Sequence, residues 1–200
     1  MKISRYAFLL LLGSVVASLT TTGTQALAQT ANKTPAVVYI IRHGEKPPAE
    51  DKSPDLAPKG RERASALPSL FVQQPGSASP RLQRPDALFA TAAGKHSNRE
   101  VETLEPLSQA LHLSINHDFV NSDTAGLASE VLSGKYQGKV VLICWHHGEL
   151  PNVIAALGVT NAPTKWQDTV FDQIVKIQWV DGKATLTMLP EALLPGDAAK

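Results

Sequence analysis

The sequence of 200 residues is poor in cysteine and in net charge. Its one cysteine, Cys144, excludes an internal disulfide framework and a cysteine-rich zinc site. The 19 Lys and Arg residues against 18 Asp and Glu leave a formal net charge of +1, which gives no electrostatic reason to expect nucleic acid as a partner. An apolar fraction of 43% with 18% charged residues is typical of a globular domain, and it excludes a disordered chain, a collagen-like repeat and a coiled-coil rod.

The first 28 residues have the pattern of an export signal. Lys2 and Arg5 supply a positive start, residues 6–16 are mostly apolar, and Ala26-Leu27-Ala28 forms a small-x-small cleavage site. A retained membrane anchor is the alternative, but the apolar run is shorter than the roughly 20 residues that span a bilayer. We therefore expect cleavage after Ala28, a secreted or periplasmic domain over residues 29–200 with no stable membrane association, and a net charge that changes from +1 to −1.

Two apolar runs, at residues 36–41 and 139–145, are too continuous for strands with one wet face, so they predict strands of a parallel sheet that is covered on both sides. The second run contains Cys144, which we expect to be buried and inert. The remaining periodicity predicts strands at 86–91, 113–117, 172–180 and 184–189, and helices at 59–71, 97–111, 125–133 and 150–157.

This alternation predicts a single three-layer α/β/α domain. Its central sheet is expected to be mostly parallel, with an antiparallel C-terminal hairpin that turns at Asp181-Gly182. Pro68 is expected to kink or shorten the first helix. Ser97 is expected to cap the second helix, because Glu100 three residues later completes a capping-box pattern.

Histidines follow both of the long apolar strands. The first strand runs into Arg42-His43-Gly44-Glu45, and the other runs into His146-His147-Gly148-Glu149. Ligands of parallel sheets bind beyond the carboxyl ends of the strands, so we expect both sets of imidazoles at one edge. The guanidinium group of arginine suits phosphate oxygens, and a histidine among cationic donors can act as a nucleophile towards phosphorus.

The sequence Arg42-His43-Gly44-Glu45 after a first strand resembles the signature of the histidine phosphatase superfamily, the phosphoglycerate mutase-like proteins. The resemblance extends over about residues 35–158. It includes an L-x-x-x-G-x-x-x-A pattern from Leu56 to Ala64, an R-x-x-x-T pattern from Arg99 to Thr103, and a strand that ends near His147-Gly148. It implies the phosphoglycerate mutase-like fold and a metal-independent phosphomonoesterase with no cofactor and a small phosphorylated substrate.

The resemblance also implies roles for individual residues. His43 would be the nucleophile that is transiently phosphorylated, Arg42 and Arg99 would clamp the phosphoryl oxygens, and His147 would complete the pocket. His146 is expected to line the pocket, or else to cap its strand. For Arg99 alone, a solvated position on the helix surface is the alternative, and the longer segment 92–98 before it puts its reach in question.

The general acid has no clear family counterpart. Cleavage of a phosphate ester requires a proton for the leaving alkoxide. Glu149 is the preferred candidate because it resembles the His-Ala-Glu variant of the acid phosphatase branch, and Asp118 and Asp123 are the alternatives.

Two other functions compete with this prediction. In a metal enzyme the histidines would be ligands, but the sequence has no H-x-x-x-H pair, and His146 and His147 would point to opposite faces of a continuing strand, so no metal is expected. In a secreted binding module the same pocket would hold phosphate or a phosphorylated ligand with little or no turnover. The sequence leaves the physiological substrate and the oligomeric state open.

Overall fold

The computed structural model describes residues 33–73 and 80–197. The described residues all belong to one compact unit of the chain. The predicted signal, residues 1–28, lies outside the described residues. Within the described ranges, none of the helices combines the length and the apolar character that crossing a membrane requires.

A six-stranded sheet forms the centre of the described region. Its strands are β1 (Val37–Arg42), β2 (Ala87–Thr91), β3 (Ile115–Phe119), β4 (Val140–Trp145), β5 (Gln173–Val180) and β6 (Lys183–Pro190). Their order across the sheet is β3-β2-β4-β1-β5-β6. Strands β1 to β4 are parallel, and β5 and β6 are antiparallel. The predicted hairpin is confirmed, with Asp181 and Gly182 at φ values of 49° and 75°, as a type I′ turn requires.

Four α-helices and one 3₁₀ helix connect the strands in the described residues. They are α1 (Pro58–Ala66), the 3₁₀ helix (Leu67–Leu70), α2 (Arg99–Leu111), α3 (Thr124–Val131) and α4 (Leu150–Ala156). As expected from Pro68, which has no N–H to donate, the α-helical geometry ends before this residue.

The helices cover both faces of the sheet. Alternate side chains of β1 enter two separate core clusters, with Val38 and Ile40 in one and Tyr39 and Ile41 in the other. Helices α3 and α4 pack in the first cluster, and α2 and the 3₁₀ helix pack in the second. The predicted three-layer α/β/α domain is therefore confirmed. Cys144 in β4 is also buried as expected, and burial raises the pKa of its thiol well above the usual value.

Two of the elements begin two residues later than predicted. Helix α2 begins at Arg99 rather than at Ser97, and its N-cap residue is Asn98, whose side chain makes no capping hydrogen bond. The backbone of Ser97 is held in a turn with Gly94, so it does not start the helix. Strand β3 begins late because residues after α2 close that helix: His112 has a φ of 54°, and Leu113 N donates to Ser108 O over 3.1 Å.

The L-x-x-x-G-x-x-x-A pattern packs α1 against the turn that follows β1. A Cβ atom on Gly60 would lie 2.4 Å from Glu45 O, and one on Gly44 would lie 2.8 Å from Gly60 O. The two backbones therefore approach so closely that both positions require glycine. Leu56 and Ala64, the other residues of the pattern, are buried beside this contact.

A buried ion cluster around Arg63 of α1 holds Glu45 at the same turn. The Arg63 guanidinium donates to Glu45 over 2.8 and 3.0 Å, to Glu191 over 3.1 Å, and to Asp197 over 2.8 and 2.9 Å. Burial raises the pKa of Glu191 to about 8, whereas hydrogen bonds from Arg63 hold the pKa of Asp197 well below its usual range. The cluster therefore ties the C-terminal segment to the turn after β1.

Replacement of Arg63 by methionine is expected to destabilise the protein by about 3–5 kcal/mol, because it leaves buried carboxyl groups without their partner. Urea unfolding at pH 7 measures this loss. Arg61→Met on the exposed side of the same helix is the matched control, and we expect it to change stability by about 0.5 kcal/mol or less. Equal effects of the two substitutions would contradict a structural role of the cluster.

Candidate active site

The register of β1 and β4 brings the two histidine segments together. Arg42, the last residue of β1, is paired with Trp145, the last residue of β4. His43 and His146 therefore leave the sheet at the same level, and their ring centroids are 5.7 Å apart. The expected convergence of imidazoles at the carboxyl edge is present in the structure.

His146 and His147 do not point to opposite faces of a strand, contrary to the expectation from the sequence. Strand β4 ends at Trp145, and the backbone then turns, with Glu149 N donating to His146 O over 3.0 Å. Gly148 N also donates to Nδ1 of His146 over 3.1 Å. The two neighbouring rings consequently lie side by side, with centroids 4.3 Å apart. His146 lines the pocket rather than ending a strand.

His43 is fully buried and is held in one tautomer. Its Nδ1 lies 2.7 Å from Gly44 O, and because a carbonyl can only accept, Nδ1 carries the hydrogen. Nε2 has no hydrogen-bond partner. Burial lowers the pKa of His43 to about 2, and the charges of Arg42 and Arg99 act in the same direction. The result is a neutral imidazole with a free lone pair on Nε2, which is the form that acts as a nucleophile.

Thr103 fixes the backbone beside this histidine. Its Oγ1 accepts from Gly44 N over 2.9 Å and donates to Arg99 O over 2.6 Å. The threonine of the R-x-x-x-T pattern therefore connects the first turn of α2 to the turn after β1. This contact gives the spacing of that pattern a physical reason, because a residue four positions after Arg99 lies on the same face of the helix.

Arg42 is buried under the segment between α4 and β5. Its Nη1 donates to Asp168 O over 2.6 Å and to Val170 O over 3.2 Å, and its Nη2 donates to Asp168 Oδ1 over 3.2 Å. The guanidinium carbon lies 3.7 Å from the centroid of the Phe171 ring. Burial lowers the pKa of Arg42 to about 10, which leaves it charged at neutral pH.

Arg99 is also buried, so the alternative of a solvated surface arginine is wrong. Its Nη1 donates to Pro54 O over 3.0 Å, and its Nη2 donates to His96 O over 3.2 Å. Segment 92–98 thus folds back over the guanidinium, and its length does not carry Arg99 away from the site. Arg99 lowers the pKa of His43, which places its charge within electrostatic reach of the imidazole.

Asp168 is a site residue that the sequence did not reveal. Its Oδ1 lies 3.3 Å from His147 Nε2 and 3.1 Å from Lys46 Nζ, in addition to its contact with Arg42. Burial lowers the pKa of His147 to about 4, and the Arg42 charge adds to this effect. No motif surrounds Asp168, and its position becomes evident only when residues 167–171 close over the end of β1.

Glu100 is the second unforeseen residue. The sequence indicated it as part of a helix cap, and its Oε2 indeed accepts from Ser97 Oγ over 2.6 Å. Its side chain is 1% exposed, and Oε1 lies 3.9 Å from His43 Nε2. The sequence held one signal for this position, which is the carboxyl side chain directly after Arg99 of the R-x-x-x-T pattern.

The three carboxylates considered as general acid have other surroundings. Glu149 precedes the first residue of α4, and its Oε2 accepts from Asn152 over 2.6 Å. Asp123 caps α3 by accepting from Gly126 N over 2.9 Å. Asp118 lies on the exposed part of β3. The contacts of all three are thus with helix ends or solvent.

Unpartnered polar atoms concentrate in this region. Over residues 33–73 and 80–197, five buried side-chain nitrogen or oxygen atoms have no hydrogen-bond partner, and all five belong to the site. They are Arg42 Nε, His43 Nε2, Arg99 Nε, Glu100 Oε1 and His147 Nδ1. Buried polar groups normally have hydrogen-bond partners, so a concentration of unpartnered atoms indicates a binding site for a polar ligand.

Three imidazoles are the only group in the described residues with the composition of a metal site. Ligand atoms of His43, His146 and His147 lie within 4.8 Å of one another. Three histidines can hold Zn²⁺ with Zn–N distances of about 2.0–2.1 Å, so these rings would have to draw together. The positive charges of Arg42 and Arg99 oppose the entry of a cation and favour that of an anion.

Some solved structures resemble this one, although no protein-family model and no curated protein matches the sequence. The protein histidine phosphatase SixA, in a structure with tungstate, is 17% identical, with a TM-score of 0.51 over 78% of this chain and 97% of that chain. This chain has the fold of a histidine phosphatase. The expected phosphoglycerate mutase-like fold is thereby confirmed.

Two other solved phosphatase structures match less closely. An alpha-ribazole phosphatase from Shigella flexneri is 16% identical, with a TM-score of 0.48 over 77% of this chain and 96% of that chain. A mutant phosphoserine phosphatase from Entamoeba histolytica in complex with phosphoserine is 14% identical, with a TM-score of 0.49 over 76% and 94% of the two chains. At these identities the likeness concerns the fold alone.

His43 is expected to remain neutral from pH 8 down to about pH 4, because its lowered pKa of about 2 lies far below this range. The ring-proton NMR shifts of His43 should therefore stay constant over that range. In urea-unfolded protein the same ring should titrate near about 6.5, which is the ordinary value. A midpoint above about 5 for His43 in the folded protein would contradict the assigned burial and tautomer.

Thr103→Val is expected to lower the free energy of unfolding by about 1–3 kcal/mol, because Gly44 N loses its acceptor while it stays buried. Thr103→Ser keeps the hydroxyl, and we expect it to cost about 1 kcal/mol or less for the lost methyl group. Urea unfolding of both variants measures the difference. A loss in Thr103→Ser as large as that in Thr103→Val would contradict a dominant role of the hydroxyl.

Proposed function

We propose that the protein is a metal-independent phosphomonoesterase of the histidine phosphatase superfamily, which hydrolyses its substrate through a phosphohistidine at His43. One observation carries the proposal: a neutral imidazole with a free Nε2 lies among buried cationic groups whose Nε–H donors are uncommitted. A phosphoryl group supplies both missing partners, since its oxygens accept hydrogen bonds and its phosphorus accepts the lone pair.

The reaction would proceed in two displacements. Nε2 of His43 attacks phosphorus, an N–P bond forms, and the P–O bond to the leaving group breaks. Water then attacks the phosphohistidine, the N–P bond breaks, and inorganic phosphate departs. Arg42 and Arg99 would hold the phosphoryl oxygens through both steps, and their fixed positive charges would stabilise the charge of each transition state.

His147 would bind the phosphoryl group from the second strand. Asp168 Oδ1 faces its Nε2, so this nitrogen carries a hydrogen. Its Nδ1 is buried and has no partner. An incoming phosphate dianion favours the protonated imidazole, in which Nδ1 donates to a phosphoryl oxygen. Asp168 would position this histidine, as the carboxylate partner of a catalytic imidazole does.

The comparison with SixA supports this proposal through the fold and through tungstate, a tetrahedral oxyanion like phosphate. The cavity next to His146 measures about 280 Å³ and has Lys95 and His96 on its exposed rim, which fits a small phosphorylated substrate rather than a polymer.

We also propose that the protein acts as a secreted or periplasmic enzyme, because residues 1–28 have the pattern of an export signal.

Removal of the nucleophile tests the proposal. His43→Ala is expected to lower kcat for a nitrophenyl phosphate ester by at least about 10⁴-fold. Quenching of the wild type without acid, after mixing with that ester, should trap a phosphohistidine that is absent from the variant. His117→Ala, which removes an exposed histidine on β3, is the matched control and should retain full activity. Normal turnover by His43→Ala would contradict the covalent mechanism.

The same assay separates the competing functions. Activity that survives exhaustive treatment with a chelator is expected here, whereas loss of activity and its return with Zn²⁺ would favour the metal enzyme. Phosphate binding without detectable turnover of any ester would favour the binding module.

A further inference from the structure

Glu100 is a buried titratable group beside His43 to which the proposed mechanism gives no role. It lies at the start of α2, its side chain is 1% exposed, and Ser97 Oγ binds only one of its two oxygens. The other oxygen, Oε1, has no partner and lies 3.9 Å from the nucleophilic nitrogen of His43. A buried carboxyl oxygen without a partner is costly, so its retention beside the nucleophile requires a reason.

The surroundings of Glu100 exclude a purely structural ion pair. The guanidinium of Arg99, its neighbour in sequence, donates to backbone carbonyls of Pro54 and His96 instead. No salt bridge to an arginine or lysine forms at Glu100 in the described residues, and the titratable side chain beside its Oε1 is the imidazole of His43. Burial lowers the pKa of that imidazole to about 2, so it supplies no positive charge at neutral pH.

Glu100 also faces the space that a leaving group can occupy. It lines the cavity of about 280 Å³ together with Arg99, His146 and Asn121. The exposed residues Lys95 and His96 also line this cavity, and Oε1 of Glu100 lies 3.9 Å from His43 Nε2. In an in-line displacement the leaving oxygen departs on the side of phosphorus away from the nucleophile, towards open space of this kind.

From these contacts we infer that Glu100 is the proton donor for the leaving group. The inference rests on the proposed phosphohistidine mechanism. The carboxyl group gives its proton to the leaving oxygen while the N–P bond to His43 forms and the P–O bond breaks. In the second displacement the resulting carboxylate accepts a proton from the attacking water, while the O–P bond forms and the N–P bond breaks. Each cycle therefore returns Glu100 to its starting form.

The negative charge of the substrate makes this proton assignment reasonable. A phosphoryl dianion next to His43 lies near Oε1, and two negative groups at such a separation favour a shared proton over two bare charges. Ser97, whose hydroxyl donates to Oε2, leaves Oε1 as the oxygen that meets the substrate. Glu149, Asp118 and Asp123 lack this combination of burial and proximity to His43.

The test compares the first chemical step for good and poor leaving groups. Glu100→Gln preserves the shape of the side chain and its contact with Ser97. With an alkyl phosphate ester in single-turnover experiments, the rate of phosphohistidine formation should fall by about 10²–10⁴-fold, which is the range for loss of a general acid. With a nitrophenyl ester, whose leaving group needs no proton, the burst rate should fall by about threefold or less.

Two variants serve as references. Glu105→Gln changes an exposed carboxylate on the same helix and should leave both rates unchanged. Glu149→Gln tests the competing assignment. Any loss of rate that it causes should be the same for the alkyl ester and the nitrophenyl ester. Urea unfolding of each variant confirms that it is folded. If Glu100→Gln fails to fold, the wild-type protein provides the test. The rate of its first step is measured with leaving groups of different basicity, and we expect that rate to depend only weakly on basicity.

Three outcomes would overturn the inference: equal losses for both esters in Glu100→Gln, a leaving-group effect in Glu149→Gln but not in Glu100→Gln, or a steep dependence in the wild type. These outcomes are distinct from failure of the proposed function. If His43→Ala still turns over either ester, the covalent mechanism itself fails. If His43→Ala is inactive while Glu100→Gln shows no leaving-group effect, only the role of Glu100 is wrong.

Discussion

The parallel pairing of β1 with β4 is the constraint on which the rest of the site depends. Because these strands end at paired residues, Arg42 and Trp145, the segments after them begin side by side. Both strands are buried over their full length between two helical layers, so neither strand is free to shift its register. His43 and His146 therefore meet without any direct bond between them.

Burial of the two arginines creates the electrostatic character of the site. A buried guanidinium is costly unless its donors are satisfied, and here backbone carbonyls supply most of the partners. Carbonyl dipoles stabilise Arg99 without cancelling its charge, and the charges of Arg42 and Arg99 both lower the pKa of His43. The same low-dielectric surroundings keep His43 neutral. A fixed positive field around a neutral imidazole is a preorganised setting for binding an anion.

Fold prediction from the sequence succeeded where the pattern was long and local. The apolar runs of β1 and β4 gave both their positions and their burial on two faces, and Asp181-Gly182 gave the hairpin. The errors occurred where local hydrogen bonds and helix-ending turns set the boundaries of elements, because hydrophobic periodicity does not reveal such contacts. Ser97 was expected to cap α2, but its backbone is engaged by Gly94. Residues after α2 were assigned to β3, although they close the helix.

The sequence by itself determined which helices and strands form. It also determined that imidazoles and arginines lie at the ends of strands and helices, because both features follow from local residue order. Only the tertiary structure decided what surrounds them. Asp168 reaches Arg42 across 126 residues of chain, and no local pattern encodes a contact of that separation. Glu100 likewise has the sequence of a capping residue, and the packing of α2 against the end of β1 is what buries it beside His43. Protonation, burial and unpaired atoms are properties of these long-range contacts, so they became evident only in the folded chain.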